Sequence, residues 1–297
     1  MSGSALSLLA EIRQSSERRS FEVLKLAEPL LLNRSLSQAS EDAWLVYEQI
    51  FLAAIDEGQM DLAKSVLFLL DKRFDGSQRV RRLHGLVNEA CGQASEAEVI
   101  YTEMLSKDPT NVLASKRLIA QLKARGQLHL ATQELVTYLD THSNDFEAWL
   151  ELSHLYLLQH LYQQAAFCLE EVILQQPANH YFHLLYAEIQ YTMGHLDVAL
   201  KELLRVVELS TDNVRAFYGV KLTADRILAE LKQQTPSKPH QSSGKRDHAS
   251  SSGLRIEQVP QQATLERLSE LATERLVSAY NRAGETSKKI AEQWLKE

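Results

Sequence analysis

Alanines at 63, 97, 131, 165 and 199 recur at a spacing of about 34 residues, and that interval constrains the fold more than anything else in the chain. The unit between them is clearest over Phe146–Asn179. Trp149, Leu152, Tyr156 and Leu157 lie at three- and four-residue spacing, as do Tyr162, Ala165, Leu169, Val172 and Ile173. Each set marks one face of a short helix. Pro177 ends the second helix, because it has no amide hydrogen and disfavours a helical residue before it. The alanine falls where the two helices of a hairpin must approach closely. A lone hairpin cannot bury both sides of its apolar surface, so the units must stack.

Other columns keep this register. Gly58, Gly92, Gly126 and Gly194 occupy the turn between helices, with His160 as the exception. Glycine suits a left-handed helix stop. The second helix carries Leu67, Tyr101, Leu135, Leu169 and Leu203, then Leu70, Met104, Tyr138, Val172 and Val206. Pro109 and Pro177 close their units. The pattern is that of tetratricopeptide repeats, and it predicts an all-α, right-handed superhelical solenoid with N- and C-terminal capping helices.

The boundaries follow. Residues 1–40 are expected to form a helical cap, with Pro29 bending or ending the helix in RSFEVLKLAEPLLL. Five repeats occupy 41–212, and one additional helix occupies 213–232, where the alanine column ends at Gln233. Residues 233–262, rich in Ser, Pro and Gln, read as a flexible linker. Residues 263–297 resume helical periodicity through Leu265, Leu268, Leu271, Leu276 and Tyr280, then through Ile290, Trp294 and Leu295. Those apolar faces need a surface to dock on, and the open end of the solenoid is the nearest.

Composition excludes several classes of function. A formal charge of −7 argues against a general nucleic-acid binder. Cys91 and Cys168 lie in different repeats, so a reducing compartment fits better than a disulfide framework. The start lacks the pattern of a secretory signal, no run approaches a membrane span, and the expected location is the cytosol. Asn33-Arg34-Ser35 is then a glycosylation acceptor in form only. No catalytic constellation or cofactor signature is present. His154, His160, His180 and His183 lack the cysteines or carboxylates of a metal site, and His183 reads as a packing residue. Cys91 has no basic neighbour to activate it.

In tetratricopeptide arrays the first helix of each repeat lines a concave groove through its second, fifth, ninth and twelfth positions. Here those places bring forward Arg79, Arg82, Lys116 and Lys123, with Arg117 beside them, then Leu150, His154, Leu157, Tyr181, Leu184 and Tyr191. The expectation is a partner-binding groove that is basic in its N-terminal half and apolar-aromatic in its C-terminal half.

Six segments carry a more specific likeness: DAWLVYEQIFLAAIDEGQMDLA (42–63), FDGSQRVRRLHG (74–85), DPTNVLASKRLIAQLKARG (108–126), EAWLELSHLYLLQHLYQQAAFCLEE (147–171), YAEIQYTMGHL (186–196) and SAYNRAG (278–284). They resemble the family of subunit 2 of the endoplasmic reticulum membrane protein complex, from about residue 41 to 220 and again near 265. DPTN, AAFCLEE and the YAE–YT–G string are not demanded by a generic repeat. The resemblance implies a non-catalytic scaffold, peripheral on the cytosolic face of the endoplasmic reticulum membrane, within an insertase for tail-anchored and multipass proteins. It implies pairing with the eighth soluble subunit or its paralogue, the ninth. It also implies a hold on cytosolic segments of membrane-spanning subunits, including the tail of the fifth. A different expectation is a co-chaperone adaptor gripping acidic chaperone tails through Lys116 and Arg117, although Ala120 stands where such clamps carry asparagine.

Overall fold

The structure, a computed structural model, describes residues 2–15, 17–32, 42–234 and 260–283, with isolated positions 286, 289 and 293. Most of the expected linker, the Asn33 acceptor, and Ile290, Trp294 and Leu295 lie outside the described residues. The described chain is helical: α1 (Ser2–Ser15), α2 (Ser20–Leu32), α3 (Asp42–Asp56), α4 (Met60–Arg73), α5 (Gln78–Ala90), α6 (Ala94–Lys107), α7 (Val112–Ala124), α8 (Leu128–Thr141), α9 (Phe146–Leu158), α10 (Tyr162–Gln175), α11 (His180–Met193), α12 (Leu196–Leu209), α13 (Val214–Gln234) and α14 (Gln262–Ala283). It divides into two compact units, residues 1–134 and 135–297.

The repeat register is realised residue by residue. Ala63, Ala97, Ala131, Ala165 and Ala199 are all fully buried, as close helix contact demands. Both second-helix columns, Leu67 to Leu203 and Leu70 to Val206, are buried in every repeat. The turn glycines have φ between +70° and +86°, and His160 takes the same left-handed place at +58°. An L-residue there costs about 1–2 kcal/mol, so glycine is favoured at the other four turns.

A further column explains why the first helices begin where they do. Asn111, Asp145, Asn179 and Asn213 recur at about 34 residues, each just before a first helix. The side chains of Asn111, Asp145 and Asn213 accept from the amides of Ala114, Ala148 and Ala216 at 3.1, 3.2 and 3.1 Å. Asn179 accepts from Tyr181 at 3.1 Å. Each satisfies a backbone donor that the helix itself cannot, worth about 1 kcal/mol.

In the first unit, α2 packs on α3, and Leu9, Ile12, Val23, Ala27 and Leu30 join one core with Ile50, Phe51, Ala63, Leu70 and Leu83. Pro29 does not end α2, which runs on to Leu32. With only the last turn beyond it, the proline has little ladder left to break. In the second unit, α9 to α12 pack as two hairpins, α13 lies on α12, and α14 lies on α13. Leu265, Ala272 and Leu276 are fully buried against a core that includes Phe217, Val220 and Ile227. The apolar stripe of 263–283 thus docks on the helix that follows the last repeat through Leu265 and Leu276, with Leu268 partly buried, whereas Leu271 is exposed.

Candidate functional site

In the first unit, α5 and α7 carry the cations expected to line a groove, and most of them meet acids from the neighbouring helix. Arg79 and Arg82 both bind Glu48 of α3, at 2.6 and 3.1 Å. Arg117 of α7 pairs with Glu89 of α5, whose Oε1 also accepts from Gln121 at 3.0 Å. Burial first, then the positive charges of Arg82 and Arg18, pull the Arg117 guanidinium below the ordinary arginine range. Lys116 is half-buried and Lys123 exposed, both on α7. So Arg82, with a side chain only 19% exposed, belongs to the framework, whereas Arg79 at 62% remains available at the surface. A basic face read from the sequence as open charge is substantially compensated from within.

In the second unit, Tyr181 is 44% exposed and His154 is also exposed, while Leu150 and Leu157 are half-buried against the core around Leu169 and Ile189. Leu184 requires a correction: at 4% exposure it sits in the core with Ala187, Leu200 and Leu203. The reason is α13, whose Ala216, Phe217 and Val220 complete that same core. Tyr191 is half-buried, with the Arg226 guanidinium 5.1 Å from its ring centre. Beside it Arg215 grips Glu188 in a two-point pair at 2.5 and 2.7 Å.

Of the four histidines noted in the sequence, His183 takes the packing place expected of it. His183 is buried, its Nδ1 2.7 Å from Glu202 and its Nε2 3.0 Å from the Pro177 carbonyl. Cys168 is buried too, and burial pushes its thiol up to about 12, away from nucleophilic use. Cys91 is exposed at the end of α5. Sequence reasoning missed a pocket of about 450 Å³ in the first unit, lined by Trp44, Leu45, Phe74, Val80, Leu83 and Arg79 among others. Its signal was present in the aromatics of α3 and of the turn after α4, which lie outside the concave positions. No helix among the described residues is long and apolar enough to cross a membrane.

Comparison with known proteins agrees with this architecture. Residues 62–202 match the family model described as the EMC2 TPR-like repeat domain. ER membrane protein complex subunit 2-A of Xenopus laevis is 39% identical over 229 residues, covering 76% of this chain and 77% of that protein. TPR repeat protein oca3 of Schizosaccharomyces pombe is 32% identical over 198 residues, covering 65% of this chain and 70% of that protein. The crystal structure of the C-terminal part of a TPR repeat-containing protein from Cytophaga hutchinsonii superposes with a TM-score of 0.60 at 12% identity, over 95% of this chain and 97% of that one, a likeness of fold alone. With the repeat register realised in the structure and the identity spread over three quarters of both chains, this protein belongs to the ER membrane protein complex subunit 2 family, a tetratricopeptide-repeat family.

Proposed function

We propose that the chain is a non-catalytic scaffold subunit of an endoplasmic reticulum membrane protein complex, working on the cytosolic face and supporting insertion of tail-anchored and multipass proteins. The observation that carries this reading is the 39% identity to a complex subunit over 76% of the chain. In this reading it attaches through other subunits rather than through a span of its own. It pairs with the eighth or ninth soluble subunit and holds cytosolic segments of the membrane-spanning ones, the tail of the fifth among them. The surfaces offered for this are the α5 and α7 faces with Arg79, Lys116 and Lys123, and, separately, the α9 and α11 faces with His154, Leu157 and Tyr181. A tethering surface of this kind works through a few apolar anchors and through charge that guides encounter.

The reading is tested in microsomes depleted of the endogenous protein, by following glycosylation of a tail-anchored reporter as its tip enters the lumen. Adding back the wild-type chain is expected to restore insertion. The His154→Ala, Tyr181→Ala double variant is expected to restore less while melting as the wild type does, because exposed positions contribute little to stability. Insertion that is unaffected by depletion contradicts the proposal.

A further inference from the structure

The pocket between α3, the end of α4 and α5 has a chemistry that the scaffold reading does not use. Its floor is Leu70, Val80 and Leu83, all buried. Its walls are aromatic: Trp44 meets Phe74 edge-on, with ring centres 5.4 Å apart and planes at 82°. Phe74 and Leu45 are 36% and 39% exposed, so the apolar wall is open at the surface. At about 450 Å³ the cavity falls within the ~300–1,000 Å³ of sites that enclose a bulky apolar group.

The rim is cationic. The Arg73 guanidinium lies 5.5 Å from the Phe74 ring centre, and Arg79 also lines the pocket with most of its side chain in solvent. Among the described residues the one carboxylate lining the pocket, Glu48, is only 12% exposed and is shared by Arg79 and Arg82. Arg73 and Arg79 against Glu48 leave the described lining net positive. The nearby Asp71 is 3.3 Å from His84, and Lys72 and Asp75 are both exposed.

We infer that this pocket docks a short acidic peptide segment of a partner subunit, seating one aromatic side chain against Trp44, Phe74 and Leu83 while flanking carboxylates meet Arg73 and Arg79. The inference rests on the scaffold reading for the origin of the segment, but its chemistry is independent of which subunit supplies it. An aromatic anchor in an apolar well provides desolvation, and the fixed cations select acids beside it. Glu48 then acts as an internal counterion that competes with the incoming carboxylates for the same guanidinium.

The probe is a short fluorescein-labelled peptide of aspartates and glutamates around one central tryptophan, titrated into the full chain and followed by fluorescence polarisation. Matched peptides carry lysines for the acids, or alanine for the tryptophan. The acidic aromatic peptide is expected to bind, and both controls to bind at least about tenfold more weakly, as loss of an anchor or of charge complementarity dictates. Phe74→Ala and Arg79→Gln should each weaken it by about tenfold, the scale of a single interface anchor. Glu48→Gln should tighten it, because the arginines lose their internal partner. A residue with only a structural role would do the reverse.

Equal binding of the acidic and lysine peptides, an unchanged affinity in Phe74→Ala, or weaker binding in Glu48→Gln overturns the inference. Failure is separable from failure of the scaffold reading. A chain that retrieves membrane subunits but ignores the peptide refutes the pocket alone. One that binds the peptide as described yet retrieves no membrane subunit refutes the scaffold reading and leaves the pocket standing.

Discussion

Replacing Gly85 by alanine is expected to destabilise the first unit by about 2–3 kcal/mol, the upper range for forcing extra volume into a packed core. In a helix interior the same change ordinarily stabilises, by about 0.5–1 kcal/mol, because glycine loses more backbone freedom on folding. The sign reverses here because an ideal Cβ at position 85 would lie 2.6 Å from Cε1, Cζ and the hydroxyl of Tyr101. Tyr101 is fully buried in the close contact of α5 with α6, so its ring has nowhere to turn. Its hydroxyl has no hydrogen-bond partner among the described residues, and burial pushes its pKa up to about 12. Shortening the partner should therefore relieve the clash. Gly85→Ala combined with Tyr101→Leu should cost less than the sum of the two single changes, the mark of directly touching residues. A thermal melt of the four proteins gives the answer, and a Gly85→Ala variant as stable as the wild type contradicts the contact.

The second large effect is at the other end. Leu276→Asp should cost about 3–5 kcal/mol, combining the loss of a fully buried leucine with an unpaired charge in its place. The cost should appear mainly as release of α14, since terminal helices open as local units before the whole chain does. Hydrogen exchange is then expected to lose protection over residues 262–283 while α9 to α11 keep theirs. Leu271→Asp serves as the control on the same helix: at 46% exposure it should stay within about 0.5 kcal/mol of the wild type. Equal behaviour of the two variants would mean that α14 is not held by the face that Leu265, Ala272 and Leu276 share.

The parts of this fold legible in the sequence were those that repeat. Ala63 through Ala199 could be placed at helix–helix contacts because the same small residue returns at one interval, and His160 could be set in the glycine column by register alone. The cap residues Asn111, Asp145, Asn179 and Asn213 were equally available at that interval and went unread. What did not follow from the pattern were the interactions between one repeat and the next. Arg82 reads as groove charge on a single-helix projection, but stacking puts Glu48 of the preceding first helix against it. Arg117 and Glu89 repeat the arrangement one helix on. Leu184 reads as a groove residue for the same reason, and α13, which follows the end of the alanine column, is what encloses it. The Trp44–Phe74 pocket uses a first-helix residue and a turn residue, a pairing that no single column displays.

The pairing of Arg117 with Glu89 also bears on which partner the chain takes. A clamp for acidic chaperone tails would rest on Lys116 and Arg117 with an asparagine beside them, and Arg117 is held by Glu89 while position 120 on α7 holds alanine. The account therefore favours a membrane complex over a chaperone as the stable partner. The most direct measurement is affinity purification of the tagged full-length chain from a mild detergent extract of membranes, with subunit amounts counted by quantitative mass spectrometry. The account predicts membrane-spanning subunits and one further soluble subunit recovered in amounts equal to the bait through gel filtration. Recovery of a heat-shock chaperone instead, or of the chain by itself, would contradict it.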